Sequence, residues 1–184
     1  MISVKRLIFF LLIGMSCQST GLLTIEADIT NYLKEVSAAE LDLQSDIIWV
    51  IEDAGNKPNL IGLNANGKPT KTIRINNAKN HDWEDLTSDK QGNIYIGDFG
   101  NNRNDRKDLK IYIVNEKVLL KEDSAVAEII TFNYPDQRNF PEQAAHRNFD
   151  MEAMVFYNNK LVLFSKNRTD PFSGYSYVYY LPSK

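Results

Sequence analysis

Two stretches of the chain decide how it folds: Asn80-His81-Asp82-Trp83-Glu84-Asp85-Leu86 and Asn148-Phe149-Asp150-Met151-Glu152-Ala153-Met154. They share one pattern: Asn, an aromatic residue or His, Asp, a large apolar residue, Glu, any residue, then Leu or Met. The offset is 68 residues. The likeness runs on downstream. Glu84 stands 14 residues before Asp98, and Glu152 stands 14 before Lys166. Each interval holds a turn and then an apolar run, 94–96 (IYI) or 161–164 (LVLF). A fainter copy lies upstream. There Glu35-Val36-Ser37-Ala38-Ala39 falls on Asp82-Trp83-Glu84-Asp85-Leu86, and Asp53 and Gly55 echo Asp98 and Gly100. A unit of short strands that recurs every ~40–50 residues is the pattern of a β-propeller, with one four-stranded sheet per blade. An antiparallel sandwich or open meander with look-alike hairpins is the competing architecture.

The rest of the chain has the same grammar. Apolar runs are short and rich in Ile, Val, Tyr and Phe: 47–51, 60–63, 72–75, 94–96, 111–114, 129–132, 161–164 and 175–181. Turn-formers separate them, among them Asn66-Gly67, Gln91-Gly92-Asn93 and Asn158-Asn159. Such spacing predicts strands and hairpins. Helical periodicity is weak and points only to 28–39 and 118–127. The expected fold is all-β: antiparallel four-stranded blades over residues 30–184, about three of them, with the last strand of the third blade missing. Propellers close with at least about four blades. This count predicts either a piece of a longer chain or two copies completing one ring, with a misparsed small barrel as a further possibility.

The stretches around Asp82-Trp83-Glu84, Gly92-Asn93-Ile94-Tyr95-Ile96-Gly97-Asp98 and Asp150-Met151-Glu152 through Lys166-Asn167-Arg168 resemble the blades of six-bladed propellers. The group is NHL-like, phytase-like and gluconolactonase-like. More narrowly, the chain resembles secreted or lipid-anchored propeller proteins of the Bacteroidetes type. The resemblance covers roughly residues 30–181.

Composition bounds the function. The chain has 184 residues and a formal net charge of −3, which argues against a general nucleic-acid binder. One Cys and two His exclude a Cys/His zinc cage and a disulfide framework. Lys5 and Arg6 precede the apolar run 7–13 (LIFFLLI), then Gly14-Met15-Ser16 and Cys17. A basic start, a short apolar stretch and small residues form a signal peptide, here 1–16. Cys17 resembles the acylated Cys of a bacterial lipobox, although Gly14 stands where Leu is usual. The expected mature protein is lipid-anchored in the cell envelope at Cys17, on the periplasmic side, with 17–29 as a linker. Plain secretion with an incidental Cys17 is the alternative.

Chemistry concentrates in the repeat. Period-2 geometry puts Asp82 and Glu84 on one side of an extended segment with Trp83 opposite, and does the same for Asp150 and Glu152 about Met151. Converging carboxylates repel, so they need a cation, a proton or basic partners. Calcium, a hard ion taking six to eight oxygens, is the expected metal on Asp82, Glu84, Asp150 and Glu152, with magnesium second. Asn80, Asn148 and Asn101 offer carbonyl oxygens, and Asp98, Asp53, Trp83 and Lys166 are expected along the channel. Lys166 is the rival to a metal, since it neutralises the acids directly. Blade-bridging hydrogen bonds from these acids to backbone N–H groups are the purely structural alternative. The polar loop 98–108 (DFGNNRNDRKD) lacks the sixth-position Gly and twelfth-position Glu of an EF-hand.

Two functions follow. The first is a non-enzymatic envelope lipoprotein: a propeller-type scaffold for an unidentified ligand or protein partner, with calcium in its channel. The second, which the resemblance implies, is a metal-dependent hydrolase of the phytase-like or lactonase-like kind, with His81 as general base.

Overall fold

A computed structural model describes residues 21–42 and 44–183. The signal segment 1–16 and Cys17 lie outside the described residues. Among the described residues, twelve strands form three sheets. The first sheet holds β1 (Val36–Asp42), β2 (Ile47–Glu52), β3 (Asn59–Leu63) and β4 (Pro69–Ile75), with the short β8 (Ser124–Ala125) added parallel to β4. The second holds β5 (Trp83–Ser88), β6 (Ile94–Asp98), β7 (Lys110–Val114) and β9 (Glu128–Thr131). The third holds β10 (Asp150–Tyr157), β11 (Lys160–Lys166) and β12 (Val178–Pro182). Apart from β4–β8, every pairing is antiparallel. This is the expected all-β arrangement of blade-like sheets in chain order.

The first strand of each sheet is innermost: β5 touches both β1 and β10. Each of these strands carries a β-bulge, and the bulges coincide across the repeat. They fall at Ser37, Glu84 and Glu152, between the paired residues Val36 and Ala38, Trp83 and Asp85, and Met151 and Ala153. A bulge adds an unpaired residue and re-aims its side chain. Here the repeated Glu is that residue.

The turns follow from their residues. Asn158 and Asn159 both adopt positive φ (48° and 58°) and join β10 to β11, as a two-residue hairpin of the primed type requires. Between β5 and β6, the Asp89 carboxylate accepts the N–H groups of Gln91 and Asn93, and Gly92 takes the left-handed φ of 87°.

Two main cores lie between the three layers. Trp49, Ile51, Leu60, Ile73 and Ile75 of the first sheet meet Trp83, Ile94, Ile96, Tyr112 and Val114 of the second. On the second sheet's other face, Tyr95, Ile111 and Ile113 meet Met151, Met154, Leu161 and Leu163 of the third. β6 and β7 are apolar on both faces because both faces are covered. Trp83 is fully buried, its ring 6.0 Å from that of Tyr112 and its Nε1 donating to Lys79 O.

Several expectations need correction. Residues 28–39 form no helix. Their last four residues, Val36-Ser37-Ala38-Ala39, instead open β1, whose backbone pairs with β2. The 118–127 helix shrinks to α1 (Glu116–Leu119), capped by the Asn115 side chain. The chain then crosses to the first sheet as β8 instead of continuing the helix. Tyr175 and Tyr177 precede β12, and only Tyr179 turns inward, toward Tyr134.

Trp83→Ala removes one of the two tryptophans buried between the first two layers, so it is expected to cost about 3–5 kcal/mol. A urea titration checks this as a lowered midpoint at unchanged slope. A shift under about 1 kcal/mol contradicts this account of the core.

Candidate metal centre

The bulges and the alternation of the strand bring Asp82 and Glu84 to the junction of the sheets, while Trp83 points the other way, into the core. Asp53, just after β2, joins them. One carboxylate oxygen from each of Asp53, Asp82 and Glu84 lies within 4.8 Å of the others. Gly100 makes the room. A Cβ there would collide with the carboxylates of both Asp82 and Glu84.

The second pair of acids behaves differently, and this corrects the expectation of one four-carboxylate site. Asp150 is fully buried. Its Oδ1 accepts Asn101 N–H at 2.6 Å and its Oδ2 accepts Arg168 Nε at 2.6 Å. The same guanidinium reaches Glu152 Oε1 at 3.1 Å, and Lys166 Nζ lies 3.2 Å from that oxygen. Asp98 is also fully buried and is paired with Arg106 at 2.9 Å. It also accepts Asp82 N–H at 3.2 Å. Lys166, which the sequence offered as a neutralising partner, pairs with Glu152, while Asp150 relies on Arg168. The place of Lys166 in the repeat also shifts by one residue. Asp98 pairs with Trp83 across the ladder, Ser165 pairs with Met151, and Lys166 pairs with Asp150.

Among the described residues, no Lys or Arg bonds Asp53, Asp82 or Glu84. The electrostatics follow. Burial, then repulsion from Glu152, Asp82, Asp53 and Asp150, pushes the Glu84 carboxyl up to about 8. Burial and Asp53 also raise Asp82, with Arg106 opposing. β5 and β10 lie side by side, which brings Glu152 close enough to Glu84 to disfavour its charged form.

The other expected site residues have structural duties. Trp83 belongs to the core and lines no channel. Asn80 donates to the carbonyls of Glu52 and Asp53 and accepts Trp83 N–H, so it ties the first sheet to the second. The Asn148 amide donates to Tyr175 O and accepts Ser165 Oγ. Asn101 donates to Phe149 O, and its oxygen accepts the N–H groups of Asp105 and Arg106. These oxygens organise loops and are not aimed at the three carboxylates. His81 sits half-exposed, Nδ1 2.9 Å from Asp108 Oδ2. It borders a polar cleft of about 310 Å³ with Asp82, Asn102, Arg103 and Arg106.

Sequence reasoning missed Arg106, Arg168 and the cradle at Gly100. The two arginines lie in loops with no periodicity, so nothing marked them as partners of acids far away in the chain.

Among known proteins, no family model matches the chain and no curated protein matches it. One solved structure to which it is similar is a catalytically inactive variant of virginiamycin B lyase from Staphylococcus aureus, in complex with quinupristin. Identity is 14% and the TM-score 0.39, over 81% of this chain and 42% of that one. This chain thus spans well under half the length of that structure. A likeness of this degree carries nothing about the site.

Linkage gives a signed prediction. Glu84 holds its proton more tightly in the folded chain. The resulting stabilisation is fully present below the ordinary value of 4.5 and is lost as pH rises through about 8. In chelator at pH 8.5, Glu84→Gln is therefore expected to melt a few degrees above wild type. That corresponds to about 1–2 kcal/mol once partial exposure is discounted. Near pH 4.5 the two melting curves converge. A variant that melts lower at both pH values contradicts the role given to Glu84.

Proposed function

We propose that the protein is a propeller-type binding scaffold whose sheet junction holds a divalent cation on Asp53, Asp82 and Glu84. One observation carries this reading. Among the described residues, three carboxylates meet with no basic side chain bonding them, while nearby Asp98, Asp150 and Glu152 each contact an Arg or Lys and Asp85 is held by backbone N–H groups. The donor set is entirely hard oxygen, which suits calcium first and magnesium second. Gly100 leaves the space, and backbone or solvent oxygens complete the shell. A bound cation would neutralise the three acids and fix the segment after β2 against β5. The polar cleft beside Asp82 is where the scaffold takes its ligand.

A second reading, a metal-dependent hydrolase, is favoured by one feature. His81 stands at the rim of that cleft next to Asp82, and Asp108 orients its ring, as a general base requires. It shares the cation with the first reading.

We place the protein in the cell envelope, anchored by acyl chains on Cys17. The sequence of 1–17 supports this, and the acidic balance of the chain leaves little attraction to anionic lipid. Intact-mass measurement of the membrane fraction is expected to show a diacylated N-terminal Cys17. A mature terminus beyond Cys17 without an adduct contradicts the anchor.

Calorimetry tests the cation site. Calcium is expected to bind wild type at one site with micromolar or better affinity, and to raise its melting temperature at pH 8. Glu84→Gln and Asp82→Asn are expected to weaken binding at least about tenfold, or 1.4 kcal/mol, while staying folded. Absence of heat with both calcium and magnesium removes both readings.

A further inference from the structure

The three layers are closed unequally at their two ends. The outer face of the first sheet carries Ile48, Val50, Ile61 and Leu63, and Ile29 and Leu33 from the preceding segment cover it. The outer face of the third sheet has no such cover among the described residues. Cross-strand pairing lines it with rows: Ala153–Phe164–Val178, Val155–Val162–Tyr180 and Tyr157–Lys160–Pro182. Eight of these nine positions are uncharged and carry Ala, Val, Phe, Tyr or Pro. Val155, Tyr157, Val178 and Tyr180 are 47%, 63%, 49% and 69% exposed.

The strands beneath read as strands meant for two covers. In β11, Leu161 and Leu163 enter the core while Val162 and Phe164 lie on the other face, where Val162 is only 7% exposed and Phe164 half-buried. In β12, Tyr179 and Leu181 turn inward while Val178 and Tyr180 turn outward. An antiparallel sheet with one wet face alternates apolar with polar, and a strand apolar on both sides is normally covered on both. β6 and β7 have this two-sided character and are covered on both sides.

We propose that this face is the contact between two copies of the chain, packed third sheet against third sheet about a two-fold axis. Three observations select that occupant. The exposed strip is on the order of 500 Å² per copy, the size at which an apolar patch marks an interaction surface. Pairing it with itself removes about 1,000 Å², the lower bound for a specific dimer. A head-to-tail contact on the first sheet is blocked, because Ile29 and Leu33 already occupy that sheet's outer face. The strip is also self-compatible. It holds no carboxylate, and its one charge, Lys160, lies at the edge with Nζ 6.0 Å from the Tyr180 ring. There the flexible stem lets the ammonium reach water. Flat apolar faces of this kind pack as the two halves of a β-sandwich.

Sedimentation equilibrium of the full chain at micromolar concentration tests this. Wild type is expected at about twice 21.1 kDa. Val155→Lys and Tyr180→Lys, each on the exposed face, are expected to sediment at the single-chain mass with unchanged far-ultraviolet dichroism. Tyr32→Lys, at an exposed position outside the strip, is the control and is expected to remain a dimer. A monomeric wild type overturns the proposal, and so does a dimer that survives both strip substitutions, since association would then run through another surface such as residues 7–13.

Discussion

Stacking blade-like sheets with their first strands together forces acids from different strands into one small volume. How that charge is neutralised governs the rest of the junction. Asp98 and Asp150 are buried completely and persist because Arg106 and Arg168 fold back onto them. Buried acids of this kind need a partner, because an unpaired charge in the interior costs several kcal/mol. The arginines come from the segments that follow β6 and β11, so the second and third sheets each carry a counter-ion on the loop leaving their second strand. The group formed by Asp53, Asp82 and Glu84 lacks that device, and this sets it apart chemically from acids only a few residues away.

The polar loop between β6 and β7 has a second duty. Asn104 is fully buried, donates to Asn101 O and accepts Phe149 N–H. Asn101 holds Phe149 O and, through its backbone, Asp150. A segment that looks like solvent-facing connection in composition is an internal clamp that fixes where β10 starts. Side-chain carboxylates and hydroxyls continue the seam. Asp85 and Thr87 of β5 accept the N–H groups of Met154 and Phe156 in β10. The inner strands are thus joined by side chain to backbone where no ladder connects them.

Much of the fold was readable because it rests on repetition. The two motifs and the fainter third copy mark the three bulged strands, and the alternation about Trp83 and Met151 gave the correct faces. The inner strands were legible only through that repeat and not as apolar runs. β1, β5 and β10 mix acids and small residues, since one side meets the junction, and they offer little of the β-branched signal that revealed β6, β7 and β11. β8 has two residues and no pattern to find. The grouping of the acids was legible only in part. Spacing showed that carboxylates converge, yet which of them receive a guanidinium depends on how loops fold back, and local periodicity does not encode that. Gly100 could not be singled out either, since its importance lies in the volume that its missing side chain leaves.

The crossing of β8 has a consequence for how the polypeptide matures. Arg74 and Ile75 at the edge of the first sheet wait for Ser124 and Ala125, and Asn77 receives both backbone groups of Ala127. During synthesis the ribosome must therefore deliver β5, β6 and β7 before that edge is sealed. The first layer emerges as an unfinished sheet, and it becomes a settled unit only when the second has passed over it. Pairings this distant in sequence slow folding and prolong the exposure of a bare strand edge. The N-terminal third of the molecule is accordingly the part with most to gain from a chaperone.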